Sequence, residues 1–186
     1  MKHEFLAYET RDEAADFAAR MASGVLAAAI EDSGKASFMV SGGTSPAPLF
    51  KRLASTDLSW DRVTVGLVDE RWVGPEHAGS NEALVRQHLL TAKAGAAGFL
   101  PMKTVALTAK AAVEDRVQAY RPHCDPIDLI LLGMGSDGHT ASWFPKAGGL
   151  KAAMHAAEGV TVAAIDATGC EVAGQMPERM TLTGPA

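Results

Sequence analysis

Ala36–Pro46 reads ASFMVSGGTSP: an uncharged run, two adjacent glycines, then a proline. A short apolar run ending in a glycine turn fits a buried strand. Pro46 suits the first turn of a helix, predicted to reach about Ala54. Working outward, Val63–Val68 (VTVGLV) is a second such run and ends in Asp69-Glu70-Arg71-Trp72. Asp128–Leu132 (DLILL) is a third, read as a buried strand and followed by the glycine-rich Gly133–His139. Helix signals lie between them. Ser80 or Asn81 caps a helix through Leu90, and Thr108 caps another through Tyr120, stopped by Pro122. Upstream, a short strand is expected at about Glu4–Tyr8. Thr10 and Glu13 then form a capping box. Phe17, Met21, Val25 and Leu26 share one face of a helix over Arg11–Asp32, closed by Gly34. Downstream, Pro145 limits any helix after His139 to about a turn and a half. Val160–Ile165 reads as a weaker strand, and Arg179–Thr183 alternates like a half-buried one entering the same sheet.

Strands alternating with helices predict an α/β fold, a mostly parallel sheet with helices on both faces. In such sheets ligands sit beyond the carboxyl ends of the strands. Ser41–Thr44, Asp69–Trp72 and Gly133–His139 are expected there as loops converging on one crevice. The 186 residues suit one domain, with no internal repeat or linker. Apolar residues make up 47% and charged residues 21%, a globular balance that excludes disorder. The formal charge of −5, without a Lys/Arg run, argues against nucleic acid and anionic membrane as partners. An anionic substrate would need local cations and backbone N–H groups. Cys124 and Cys170 exclude a disulfide scaffold and suggest a reducing compartment, hence a cytoplasmic location. Met1-Lys2-His3-Glu4 carries no basic-then-apolar signal pattern, and no apolar run is long enough to span a bilayer. A monomer or weak homodimer is expected.

The chemistry concentrates in the three strand-end segments. Gly42 and Gly43 permit the backbone needed to aim consecutive N–H groups at one anion, with hydroxyls from Ser41 and Thr44 and a helix N-terminus behind. An ordinary tight turn is the plainer reading of the same residues. Arg71 suits bidentate phosphate or carboxylate contact, and its plainer reading is a pair with a neighbouring acid. Gly133–His139 (GMGSDGH) contains GxGxxG, but Pro145 cuts short the crossover helix that a dinucleotide site requires. Met134 spoils a nucleophile elbow around Ser136. Asp137-Gly138-His139 fits a water-activating histidine oriented by a carboxylate. His3, His77, His88, His123 and His155 read as ordinary surface or core histidines. No pair of ligands is spaced for zinc.

Ser41–Pro46 (SGGTSP), Val68–Val73 (VDERWV) with Ser80-Asn81, Asp128–Pro145 (DLILLGMGSDGHTASWFP) and Pro177–Thr181 (PERMT) together resemble the 6-phosphogluconolactonase family, related to glucosamine-6-phosphate deaminases. The resemblance implies a Rossmann-like three-layer α/β/α sandwich and hydrolysis of 6-phosphoglucono-δ-lactone in the oxidative pentose phosphate pathway. No metal or organic cofactor is implied. It makes His139 and Asp137 catalytic. It assigns Ser41, Gly42, Gly43, Thr44, Asp69, Arg71, Gly135 and Arg179 to the sugar-phosphate lactone. For such a reaction the Gly133–Gly138 backbone is expected to supply N–H donors to the developing oxyanion. Deaminase relatives continue their GxGxDGH loop into a stretch with a catalytic glutamate. Here Thr140–Pro145 has no carboxylate, and Arg71 stands where deaminases place an aromatic residue. Members of the family usually extend beyond the Arg179 segment to a phosphate-binding lysine, so residues 1–186 are expected to be one domain lacking its C-terminal part. A non-catalytic sugar-phosphate binder and a deaminase remain as alternatives.

Overall fold

A computed structural model describes residues 3–186; Met1 and Lys2, the start of the segment read for a signal pattern, lie outside it. The first element is the helix α1 (Arg11–Ser33), capped by Thr10 as expected, with only the Thr10 half of the capping box formed. The Thr10 hydroxyl accepts from the Glu13 N–H at 3.2 Å. Gly34 closes the helix with φ 79° and donates its N–H to the Ile30 carbonyl. A side chain at that φ would be strained, which is why glycine ends the helix. The expected strand at Glu4–Tyr8 does not form. Phe5 is 92% exposed, and the segment offers only Tyr8, which lies against Phe17 of α1.

The buried face of α1 also differs from the expectation. It is Ala15, Ala19, Ala22 and Leu26, whereas Met21 and Val25 face outward. Alanines at this spacing let the helix lie close to β1 (Ala36–Val40), and large residues on the neighbouring face misdirect a count based on hydrophobicity alone.

Helix α2 (Ala47–Ala54) follows β1 and buries Leu49, Phe50, Leu53 and Ala54. Next come β2 (Val63–Leu67), β3 (Asp69–Arg71) and α3 (Asn81–His88). Ser80 caps α3, accepting from the Ala83 N–H at 3.1 Å. Strand β4 (Gly98–Leu100), invisible to the pattern reading, is short and half-buried. Helix α4 (Ala109–Tyr120) has the expected bounds and Thr108 cap. Strand β5 (Leu129–Leu131) precedes the glycine loop. No helix follows His139 directly. The chain turns through Thr140–Gly148 before the short α5 (Leu150–Met154), then β6 (Val162–Asp166) and β7 (Glu178–Leu182).

The strands form two sheets. One is wholly parallel, in the order β4-β2-β1-β5, flanked by helices. Tyr120 is buried where α4 meets it, donating to the Leu100 carbonyl and accepting from the Leu67 N–H. The second is antiparallel, in the order β3-β7-β6. Two expectations are corrected here. Asp69–Arg71 is a strand rather than a loop, and the Arg179 segment enters this second sheet. There β7 is central, so Arg179 to Leu182 are buried on both faces. Strand β5 is an edge strand rather than a buried one, with Ile130 41% and Leu132 53% exposed.

Candidate active site

The carboxyl ends of β1, β2 and β5 bring the first and third segments together. Ser41 continues β1, its N–H donating to the Leu131 carbonyl. Val68, between β2 and β3, donates to the Val40 carbonyl, which aligns Asp69 with the same end. A pocket of about 100 Å³ opens there, lined by Ser41, Gly42, Gly43, Asp69, Arg71, Asn81, Gly133 and Ala141. Thr44 faces a larger groove of about 670 Å³ on the α1 side of the same loop, with Arg11, Leu132 and Met134. Gly43, at φ 87°, is the loop residue whose backbone demands glycine.

Strand alternation divides the charged triplet. Glu70 turns away from the pocket and is fully buried. Its carboxylate accepts from the N–H groups of Arg71, Asn81 and Glu82 and from the Ser80 hydroxyl, all within 3.0 Å. It thereby seats β3 on the N-terminus of α3. Burial holds its carboxyl above the ordinary range, and these donors oppose that rise without cancelling it. Asp69 and Arg71 face the pocket. Asp69 accepts from Ser142 Oγ at 2.6 Å and from Asn81 Nδ2 at 3.1 Å. Arg71 donates through Nη1 to the Gly79 carbonyl at 2.6 Å, while its Nε is buried and unpartnered. The plainer expectation, an arginine paired with a neighbouring acid, is not met, since no salt bridge involves Arg71 among the described residues.

Arg179 stands opposite Arg71 in the β3–β7 register. It is buried and donates to the Met176 and Ala173 carbonyls. Burial, and then the like charge of Arg71, hold its guanidinium down at about 10, so it is still charged at neutral pH. It sits 5.3 Å over the Phe144 ring, and Phe144 in turn lies 4.4 Å from the His139 ring. It does not line the small pocket.

In the third segment Asp137 Oδ1 meets His139 Nδ1 at 2.5 Å and also accepts the His139 N–H. That hydrogen bond holds the Asp137 carboxyl below its ordinary range. Gly135 does something other than expected. A Cβ there would fall 2.2 Å from the imidazole, so the missing side chain makes room for the ring. Its N–H donates to the His139 carbonyl at 2.8 Å, and the Gly138 N–H to the Gly135 carbonyl at 3.0 Å. Both N–H groups are therefore used inside the loop rather than offered to an oxyanion. Two residues outside the expected set hold one inside it. Ser142 and Asn81 both donate to Asp69, and their only signal in the sequence is their place beside the strand-end motifs. Among the described residues no cluster of three His, Cys, Asp or Glu is arranged to hold a metal ion.

Parallel strands ending in a glycine-walled pocket, with an arginine facing it and an aspartate-held histidine on the adjoining loop, define an α/β protein whose candidate site lies at its sheet ends. The family model described as glucosamine-6-phosphate isomerases/6-phosphogluconolactonase matches residues 9–186. The chain belongs to that family. It is 40% identical over 176 residues to a 6-phosphogluconolactonase of Xylella fastidiosa, covering 95% of this chain and 72% of that one. It is 43% identical over 148 residues to the Pseudomonas aeruginosa 6-phosphogluconolactonase, covering 80% and 60%. The crystal structure of a 6-phosphogluconolactonase from Shewanella baltica superposes with a TM-score of 0.89 at 34% identity, over 96% of this chain and 74% of that one.

Proposed function

We propose that this chain hydrolyses 6-phosphoglucono-δ-lactone to 6-phosphogluconate, the reaction named for its relatives. The observation that carries the reading is the Asp137–His139 pair. A carboxylate on Nδ1 fixes the tautomer and leaves Nε2 as the ring's basic nitrogen. Nε2 takes a proton from water as the water oxygen bonds to the lactone carbonyl carbon. Collapse of the tetrahedral intermediate breaks the bond from that carbon to the ring oxygen. The imidazolium then returns its proton to that oxygen, and Asp137 stabilises the cation in between. General acid–base help of this kind is worth about 10²–10⁴-fold, enough for an ester as reactive as a δ-lactone.

Ser41–Thr44 and Arg71 recognise the phosphate and sugar hydroxyls, with Asp69 held among them and Arg179, buried outside the small pocket, adding positive charge beside Arg71. No cofactor takes part in this scheme. The protein works in the cytoplasm as a monomer or weak homodimer. Among the described residues no helix is long and apolar enough to cross a membrane. Lactone opening, followed as acid release and corrected for the spontaneous rate, tests the reading. Turnover of the phosphorylated lactone supports it. Binding of 6-phosphogluconate without turnover, or release of ammonia from glucosamine 6-phosphate, would replace it.

A further inference from the structure

We infer that Asn81 is a positioning residue for this site, a carboxamide strut that holds Asp69 away from Arg71 and sets the spacing between β3 and the loop after β1. The inference rests on the lactonase reading for its kinetic test alone. Asn81 is the first residue of α3 and is 2% exposed. Its Nδ2 donates to the Asp69 carbonyl at 2.8 Å and to Asp69 Oδ1 at 3.1 Å. Those acceptors fix the orientation of the amide, because turning it would set Oδ1 against a carboxylate. The consequence is that Oδ1 is buried with no hydrogen-bond partner. An unpaired buried carbonyl is costly and calls for a reason.

The reason lies on the far side of the amide. Oδ1 presses on Gly42, where a Cβ would fall 1.8 Å from Oδ1 and 2.3 Å from Cγ. One side chain thus spans the two walls of the pocket, and Gly42 is the one residue that leaves it room. Its footing is rigid, since Glu70 clamps the start of α3. With Ser142 on Asp69 Oδ2, both carboxylate oxygens are gripped. Arg71, two residues along on the same face, keeps a buried Nε with no partner. Removing the amide frees Asp69 to swing to that Nε and neutralise the cation that an anionic substrate needs.

The test is a cycle of Gly42→Ala, Asn81→Ala and the double variant, with Asn81→Asp as a same-size control. Each single variant should raise KM for the phosphorylated lactone by roughly 10–100-fold, the range set by a lost hydrogen bond to a charged group. kcat should change little, because the Asp137–His139 pair is untouched. A purely structural role would lower the folded fraction and leave KM alone. Gly42→Ala should add nothing further once Asn81 is alanine, since the clash is then gone. An unchanged KM in Asn81→Ala and Asn81→Asp, or multiplying effects in the double variant, would overturn the inference. If the parent chain showed no lactone turnover, the functional reading would fall instead. The same cycle read by melting temperature would still decide whether Gly42 and Asn81 are coupled.

Discussion

Asp137 Oδ1 lies 2.5 Å from His139 Nδ1, and the two residues flank a glycine at φ 84° that lets the loop fold back on itself. The pair is local, built within three residues, so its geometry survives changes elsewhere in the site. His139→Ala should therefore remove most turnover above the spontaneous rate while product binding stays near normal. Asp137→Asn should retain binding and lose roughly tenfold or more in kcat, within the range expected of general base catalysis. Near-normal kcat in His139→Ala would take the histidine out of the mechanism. The pH profile gives a second check. Asp137 titrates below the ordinary carboxylate range when folded, so the support it gives is complete above that range. It fades only as pH falls through the lowered value. Asp137 should then contribute nothing to an activity loss seen between pH about 5 and 7.

Arg71 and Arg179 face each other across β3 and β7, two like charges that no salt bridge neutralises among the described residues, although Asp69 and Glu70 lie near. Such a pair is costly until an anion arrives. Arg71→Ala should impair use of the phosphorylated lactone more than of unphosphorylated gluconolactone, by about 2–5 kcal/mol if the contact is a buried charged one. Equal damage to both lactones would make Arg71 a structural or catalytic group. The variant should also be no less stable to heat, since it relieves repulsion on Arg179.

The parallel strands β1, β2 and β5, the caps of α1, α3 and α4, and the two glycine loops Ser41–Thr44 and Gly133–His139 are legible because each carries local chemistry: an apolar run, a hydroxyl cap, a glycine. What was missed depends on distant partners. β3 reads as a charged loop because its pairing partner, β7, comes more than a hundred residues later. β7 reads as half-buried because Arg179 and Thr181 are polar, yet neighbouring backbone satisfies both of them. The alanine face of α1 gives little hydrophobic signal although it is the buried one. From sequence Gly135 reads as a backbone donor to substrate. Only the folded loop shows the imidazole lying where its side chain would be.

The two thiols should behave differently. Cys124 is buried, and burial pushes its thiol up to about 11, whereas Cys170 is partly exposed. Only the thiolate reacts, so a thiol reagent at pH 8 should label Cys170 readily and Cys124 only on unfolding. The sign for stability follows. A folded value raised from about 9 favours the native state fully below pH 9, and that benefit is lost as pH climbs toward 11. Cys124→Ser should flatten the decline of melting temperature over that alkaline window. Equal labelling of the two cysteines in the native protein would show that Cys124 is accessible.

The free edge of the parallel sheet leads to the last prediction. β5 pairs with β1 on one side only, and among the described residues no strand lies on the other. Its Ile130 is 41% exposed and Leu132 53% exposed, and α1, which packs against it, turns Met21 outward at 54%. An unpaired strand with apolar side chains is a template for another chain, and natural proteins blunt such edges with lysine or proline. Neither residue type occurs within Leu129–Met134. The 186-residue chain should therefore self-associate as its concentration rises, through this edge rather than through β3 or β6, the edges of the second sheet. Ile130→Lys with Leu132→Lys should suppress the association and leave the melting temperature of the monomer nearly unchanged, because neither side chain is buried. Sedimentation velocity across a hundredfold range of concentration, with the parent chain and the double variant, decides it. A parent chain that stays monomeric throughout, or a double variant that associates as strongly as the parent, would place the interface elsewhere or remove it. The association should also be insensitive to salt, since no charged group is needed to form it.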